Sequence, residues 1–272
     1  MVRFLRKSYK EQVNIGPEQE EPGETMSIQI DSIGFSYSKP RIDLQELSEP
    51  DVERVCFRAK KILEQIVFDT VKLEGNPYTF PEVKTLLDGI TVGGHKLSDE
   101  KQILNQAGSW MRLFEKVKDQ SFGVNKDAVC ELHAIAAVEE ALTWGMFRDG
   151  AVSIAGTEYK PPPAEQLDEI FSRGVGYLNK IENPIEKAMV FFLFGSIRQF
   201  FYDVNKRVSR LMMNGILLSA GYDAINIPAK RQLEFNEKMI RFYDSRDGTE
   251  MLEFLATCSL DPQLAIDKSV PF

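Results

Sequence analysis

Apolar residues recur at helical spacing along most of this chain, and the pattern predicts a mainly α-helical protein. The run from 184 to 197, PIEKAMVFFLFGSI, carries almost no charge after Lys187. The next run, Val208 to Leu218, is again apolar and ends shortly before Gly221, a residue type that commonly terminates helices. The full set of predicted helices covers residues 51–75, 79–87, 98–117, 125–144, 164–180, 184–199, 207–220, 229–243 and 248–258.

Polar residues mark the starts of several of these helices. Ser48-Glu49-Pro50-Asp51 resembles a capping box before the first helix. Thr79 precedes a short helix with proline and glutamate in its first turn, and Asn183 precedes a proline in the position where helices tolerate it best. These signals support the predicted helix boundaries.

Two segments alternate apolar and polar residues instead, which is typical of β-strands. Met26 to Asp31 predicts a short strand. Ala151 to Ala155 also alternates, is interrupted by Gly156, and is followed by three consecutive prolines. We expect the second segment to form a small β-hairpin that covers the helical core.

Length and composition suit a soluble globular protein with one large domain or two small ones. The chain has 272 residues, of which 43% are hydrophobic and 27% charged. Residues 16–25 are acidic and rich in proline and glycine, which indicates a loop. We therefore expect an N-terminal arm over 1–45, a helical domain over 46–260 and a loosely docked tail over 261–272.

Charge and cysteine content limit the partners and the compartment. The net charge of −8 argues against a nucleic-acid backbone or an anionic membrane as the main partner. The three cysteines have no paired spacing, which favours free thiols in a reducing compartment. No segment has the pattern of a signal peptide or a membrane span, so a cytoplasmic protein is expected.

The candidate chemistry lies between the two most apolar runs. Asp203, Asn205, Arg207 and Arg210 fall within eight residues, at the start of a predicted helix. The arginines are three residues apart and so share one helix face. Free N–H groups and guanidinium groups at a helix start can bind an anion such as phosphate. Pairing of both arginines with carboxylates on neighbouring helices explains the same charges equally well.

The two histidines offer little alternative chemistry. His95 lies in a glycine-rich turn, where an exposed and inactive side chain is expected. His133 lies among apolar residues of a predicted helix, where a structural role is expected.

The stretch QFFYDVNKRVSR, residues 199–210, resembles the signature of the Fic family, His-Pro-Phe-x-Asp-Gly-Asn-Gly-Arg-x-x-Arg. The matching residues are Phe201, Asp203, Asn205, Arg207 and Arg210. The departures are Gln199 at the histidine, Phe200 at the proline, Val204 at the first glycine and Lys206 at the second.

Two further segments resemble elements of the same family. Thr70-Val71-Lys72-Leu73-Glu74-Gly75-Asn76 is similar to its inhibitory-helix motif, so the helix over 51–75 corresponds to the inhibitory helix. The segment 147–163 is similar to its β-hairpin flap. Together these similarities extend from about Asp51 to Cys258 and imply a Fic-type helical bundle.

The resemblance implies transfer of AMP from ATP to a Ser, Thr or Tyr hydroxyl of a target protein. It assigns Mg²⁺ to Asp203, and the nucleotide and its phosphates to Asn205, Lys206, Arg207 and Arg210. It also implies that Glu74, with Thr70 and Asn76 in the same motif, blocks the γ-phosphate position by pairing with Arg210. The flap, with Val152, Ile154 and Gly156, would pair along its backbone with a strand of the target.

Two departures predict a degenerate active site. Gln199 stands where the family has its general base, and a carboxamide does not titrate near neutral pH. Val204 replaces a glycine, and a β-branched residue is strongly disfavoured if this position requires a positive φ.

Three hypotheses remain open at this point. The chain is an inactive or impaired Fic-fold protein that still binds a nucleotide, a phosphate or AMP transferase with non-standard chemistry, or a helical protein-interaction module with a vestigial nucleotide site. Phe4 and Phe35 are expected to be exposed near the N-terminus, which leaves a homodimer open.

Overall fold

A computed structural model describes residues 30–40, 42, 44 and 47–261 of the chain. Ten α-helices form the described part. They are α1 (Val52–Lys61), α2 (Leu63–Leu73), α3 (Phe80–Leu87), α4 (Leu97–Lys118), α5 (Lys126–Ala136), α6 (Leu167–Leu178), α7 (Pro184–Arg198), α8 (Asn205–Ser219), α9 (Gln232–Ser245) and α10 (Thr249–Ala256). Short 3₁₀ turns at Ala164–Gln166 and Ala229–Arg231 lead into α6 and α9.

The centre of the fold is the pair α7 and α8, which share the most extensive helix–helix contact. Nearly every residue of both helices is buried, as their apolar sequences require. Gly195 allows the close approach, because a Cβ added there would lie 2.2 Å from the Ser209 hydroxyl oxygen. The remaining helices surround this pair, so the short loop between α7 and α8 has a fixed position.

The N-terminal signals expected from the sequence operate in the structure. The Asp51 side chain accepts from the Arg54 N–H, and Asn183 accepts from Ile185 and Glu186. Thr79 and Glu82 form a capping box at the start of α3. Each cap satisfies backbone N–H groups that have no partner within the helix.

Several predicted helix boundaries differ from the observed ones. The first predicted helix is interrupted at Ile62, which separates α1 from α2. The helix expected over 125–144 ends at Ala136, because the chain turns there and Glu139 takes a left-handed φ of 61°. The helix expected from Arg207 begins two residues earlier, at Asn205.

The β-hairpin expected over 147–163 does not form. The structure assigns no strand to this segment, which runs as an extended loop with a turn at Ala155 and Gly156. The carbonyls of Gly150 and Pro162 accept from the guanidinium of Arg148 instead of from a β-partner. Its prolines also have no N–H to donate, so a ladder cannot extend through them.

Residues 30–40 pack into the domain, which corrects the expectation of an exposed Phe35. The Phe35 ring is fully buried and contacts Phe242 edge to face, with 5.2 Å between ring centroids. Ser36 is held by Arg246 through its backbone N–H, and Ile30 and Phe35 form an isolated antiparallel bridge. Phe4, most of the strand predicted over 26–31 and the tail 262–272 lie outside the described residues.

Cys56, Cys130 and Cys258 are all free thiols. Within the described ranges, none of the helices has the length and apolar character needed to cross a membrane.

Candidate functional site

The loop between α7 and α8 is closed by Asn205. Its Oδ1 accepts from the Phe201 N–H at 2.9 Å, and its Nδ2 donates to the Phe201 carbonyl at 2.8 Å. Asn205 itself is buried, so these bonds are shielded from water. The residue expected to orient a nucleotide is therefore used here to hold the loop.

Gln199 ends α7 in a left-handed conformation, with φ 48° and ψ 62°. Its Nε2 donates to the Ser196 carbonyl at 2.7 Å, and its Oε1 accepts from Asn205 at 3.0 Å. Both ends of the carboxamide are thus engaged within the chain. The carboxamide of Gln199 does not accept a proton near neutral pH.

Val204 adopts a left-handed backbone conformation, which is strongly disfavoured for a β-branched residue. Its φ of 63° and ψ of 8° place it in the left-handed region immediately before α8. A β-branched residue is rarely found there, and the strain is of the order of 1–3 kcal/mol. The Val204 side chain is buried, and its N–H donates to the carboxylate of Asp203. The loop therefore keeps a glycine-like path without a glycine.

His133 packs against the same loop and is hydrogen-bonded to it. Its Nδ1 accepts from the Gly145 N–H at 3.0 Å, so Nε2 carries the proton and donates to the Asp203 carbonyl at 3.3 Å. Its ring stacks on Phe201 with 3.7 Å between centroids. Burial, opposed by the Asp203 hydrogen bond and reinforced by the charge of Arg207, lowers the pKa of His133 to about 4. His133 is therefore a neutral structural histidine, as expected.

Arg210 pairs with Glu74 at the C-terminal end of α2. The Nη2–Oε1 distance is 2.6 Å, and Lys206 approaches the other carboxylate oxygen at 3.2 Å. Burial alone raises the pKa of Glu74, but the charges of Arg210, Lys206 and Arg207 outweigh it and lower the pKa to about 2. Glu74 is thus ionised and fixed on α8.

Arg207 pairs with Glu140. The sequence allowed for carboxylate partners of both arginines but did not identify this one. Two parallel hydrogen bonds of 2.9 and 2.7 Å join the guanidinium to the carboxylate. Burial opposes the charge on Arg207, but the hydrogen bond and the charge of Glu140 raise its pKa overall. Glu140 lies in the turn that follows α5. The sequence predicted a continued helix there, and so it did not indicate that Glu140 would reach Arg207.

Comparison with known proteins identifies the architecture. The model of the Fic/DOC family matches residues 123–217, which include α5 to α7, the α7–α8 loop and most of α8. The chain contains a Fic domain. The loop that carries Gln199, and the start of α8 with Arg210, lie within the matched range, and this loop is called the signature loop below.

Relatives and solved structures with Fic domains extend the similarity to other helices. The protein adenylyltransferase Fic of Drosophila ananassae is 26% identical over 74% of this chain, and that of Drosophila melanogaster is 25% identical over the same share. The chain spans about two fifths of the length of these relatives, 41% and 42%.

Two solved structures share the fold. A Fic domain containing signaling protein from Bacteroides thetaiotaomicron superposes with a TM-score of 0.61 at 21% identity, covering 72% of this chain and 77% of that one. Residues 134–508 of Fic-1 from C. elegans give 0.64 at 18% identity, covering 80% and 64%. At these identities the structural likeness shows the fold alone.

Thr70 and Asn76, which belong to the same motif as Glu74, have different structural roles. Thr70 is buried in α2. Asn76 caps the following turn by accepting from the Tyr78 N–H at 3.1 Å, and its Nδ2 donates to Gln102 on α4 at 3.0 Å. Asn76 therefore fixes the end of α2, and with it Glu74, against α4.

The flap segment of the Fic domain is attached to the signature loop by Arg148. Its guanidinium donates to the carbonyls of Gln199 at 2.7 Å, Gly150 at 2.6 Å and Pro162 at 2.6 Å. Val152 and Ile154 are half-buried, and the turn at Gly156 lies against Ile240 of α9. The segment contacts the signature loop through Arg148, and it is an extended loop where the sequence predicted a hairpin.

Asp203 is the exposed acid of the loop, and one of its carboxylate oxygens accepts from Val204. Among the described residues, no group of three or more His, Cys, Asp or Glu side chains could hold a metal ion by itself. Mg²⁺ commonly binds through one or two carboxylates together with substrate phosphates and water. A single exposed carboxylate at the start of a helix is the kind of protein ligand that such a site uses.

His95 differs from its expectation. It is half-buried rather than exposed, with its ring stacked on Tyr78 at 3.8 Å and its Nε2 3.0 Å from Glu82. It contacts the start of the short helix α3 and has no contact with the signature loop among these interactions.

Proposed function

We propose that this chain is a nucleotide-binding Fic protein, similar to protein adenylyltransferases, in which AMP transfer to a target hydroxyl is strongly impaired. The observation that carries the proposal is the position of Gln199. The signature loop keeps its path and its arginines, but its first residue is a carboxamide engaged at both ends.

The nucleotide part of the proposal rests on the arginines of α8. Arg210 is buried, and its Nε and Nη1 have no hydrogen-bond partner among the described residues. Buried guanidinium nitrogens without partners are costly, and an anion in the site would satisfy them. Phosphate groups of ATP suit this position, because the nearby helix start also favours negative charge.

The impaired transfer follows from the proton balance of the reaction. In AMP transfer a target hydroxyl oxygen bonds to the α-phosphorus, pyrophosphate leaves and the hydroxyl proton passes to a base. Gln199 cannot accept that proton, and His133 is buried with both ring nitrogens engaged. Since general base catalysis contributes about 10²–10⁴-fold, the transfer rate should fall by a factor in that range.

The remaining residues of the site have roles consistent with binding. Asp203 would hold Mg²⁺, and the metal would neutralise charge on the phosphates. Arg207 and Arg210 would bind the terminal phosphates once their carboxylate partners leave. The flap held by Arg148 would cover the nucleotide and present its free backbone to a target protein. Glu74 holds Arg210 in the described state and acts as an inhibitory carboxylate.

The test is calorimetric titration of ATP with Mg²⁺ into wild type, Glu74→Gln and Arg210→Met. Glu131→Gln is the matched control, because Glu131 of α5 also pairs with two basic residues, Arg112 and Lys116 of α4, and with no residue of the signature loop. Binding about tenfold tighter in Glu74→Gln, unchanged in Glu131→Gln and lost in Arg210→Met would support the proposal. Absence of heat with wild type and Glu74→Gln alike would refute nucleotide binding.

A second candidate is a protein-interaction module with a vestigial nucleotide site. Both arginines are paired with carboxylates, and the large apolar side chains of Leu142, Trp144 and Met146 are exposed beside the signature loop. Failure of the titrations above would favour this function. Incorporation of α-labelled ATP into protein, lost in Asp203→Ala, would instead favour a transferase with non-standard chemistry.

A further inference from the structure

The two signature arginines, Arg207 and Arg210, pair with two different carboxylates. Arg210 pairs with Glu74 from the end of α2, and Arg207 pairs with Glu140 from the turn after α5. Arg207 and Arg210 are three residues apart on α8, so the two carboxylates occupy adjacent positions on one helix face. An anion with two linked charged groups would need both positions.

A chain of hydrogen bonds connects Glu140 to Asn76, in the turn that also carries Glu74. Glu140 Oε2 accepts from Gln102 Nε2 at 2.9 Å, and Gln102 Oε1 accepts from Asn76 Nδ2 at 3.0 Å. Asn76 lies two residues after Glu74, in the same turn at the end of α2. The chain therefore joins Arg207, Glu140, Gln102 and Asn76 to the segment that positions Glu74.

The two carboxylates are more exposed to solvent than the arginines with which they pair. The side chains of Glu140 and Glu74 are 15% and 17% exposed, whereas those of Arg207 and Arg210 are 5% and 6% exposed. Both glutamates also lie at element ends, where a change of rotamer does not break a helix. A soluble anion can reach the arginines by displacing the carboxylates from outside.

We infer that Glu140 is a second gating carboxylate, and that a diphosphate-containing ligand must displace Glu140 from Arg207 as well as Glu74 from Arg210. This inference rests on the proposed nucleotide binding and specifies its regulation. Removal of Glu74 alone opens only half of the site. The Asn76–Gln102 link makes the two displacements cooperative, since loss of one carboxylate contact loosens the hydrogen-bonded chain that orders the other.

The test uses inorganic pyrophosphate in metal-free buffer, so that the result does not depend on Asp203. Calorimetric titrations compare wild type, Glu74→Gln, Glu140→Gln and the double variant, with Glu131→Gln as the control. Glutamine keeps the size of glutamate, removes its charge and replaces one acceptor oxygen with a donor NH2 group. We expect each single site variant to bind pyrophosphate about tenfold more tightly, and the double variant to bind more tightly than either.

The outcomes separate this inference from the proposed function. If Glu74→Gln strengthens binding and Glu140→Gln does not, then Glu140 is only a structural partner of Arg207 and the inference is wrong, while nucleotide binding stands. If no variant binds pyrophosphate, the proposed nucleotide site itself is wrong. Should Glu140→Gln fail to fold, Glu140→Asp keeps the charge but is too short for the double contact, and it should strengthen binding to a smaller degree. Unchanged affinity in a folded Glu140→Asp would equally overturn the inference.

Discussion

The carboxamides of Gln199 and Asn205 are hydrogen-bonded to each other across the signature loop, with Asn205 Nδ2 3.0 Å from Gln199 Oε1. The residue at the position of the family base is thereby joined to the residue that closes the loop. Gln199 is a structural element of the loop in this Fic domain, because its other end holds the Ser196 carbonyl.

Replacement of Gln199 separates this structural role from catalysis. Gln199→Ala should lower the free energy of unfolding by about 1–2 kcal/mol, since two hydrogen bonds are lost, and should leave any residual AMP transfer unchanged. Gln199→His in the Glu74→Gln background should raise transfer by about 10²-fold or more. Incorporation of α-labelled ATP into protein measures the AMP transfer of both variants. Loss of a measurable transfer in Gln199→Ala would show that the carboxamide itself takes part in the chemistry.

The left-handed backbone at Val204 predicts an unusual order of stabilities. Val204→Ala removes buried methyl groups but keeps the strained φ of 63°. Val204→Gly loses the same contacts and relieves the strain. We therefore expect Val204→Gly to be more stable than Val204→Ala by about 1 kcal/mol, whereas alanine is the more stable residue at ordinary helical positions. Urea unfolding of the two variants provides the comparison, and the opposite order would mean that the loop does not hold this conformation in solution.

Burial of neutral His133 makes stability depend on pH. Its pKa is about 4 in the folded state, below the ordinary value of 6.5, so the unfolded chain binds the proton more readily. The stabilisation is complete above about pH 6.5 and is lost as the pH falls towards 4, by roughly 3 kcal/mol in all. His133→Gln should remove this part of the pH dependence. Urea unfolding between pH 4 and 7 tests it, and an unchanged slope in the variant would contradict the neutral state of His133.

Arg148 holds the flap through three carbonyls, a geometry that lysine cannot reproduce. Arg148→Lys should lower the free energy of unfolding by about 2–4 kcal/mol and release the segment between Gly150 and Pro162. The exposed Glu158 then becomes a cleavage site for a glutamyl endopeptidase under native conditions. The control is Arg112→Lys, which changes a half-exposed arginine on α4. Equal cleavage of wild type and Arg148→Lys would show that Arg148 does not restrain the flap.

Local sequence signals determined most helices of this protein and the place of its site. Apolar periodicity, N-terminal caps and a terminal glycine depend on residues near each other in the chain, so they identify elements such as α3 and α7 without knowledge of the fold. The signature loop and the Glu74 motif were also legible as short linear patterns. The left-handed position at Val204 could be suspected for the same reason, since it is a property of one residue and its neighbours.

Only the tertiary structure determined which charged side chains form ion pairs and which aromatic rings pack together. The Glu140–Arg207 pair joins residues 67 positions apart, and it exists because the expected helix over 125–144 ends at Ala136 and turns towards α8. Arg148 binds the carbonyls of Gly150 and Pro162 on either side of the expected hairpin, and Phe35 is buried against Phe242 of α9. Such contacts depend on how helices pack, and the free energy gained by satisfying buried polar groups outweighs the local preferences that the sequence displays.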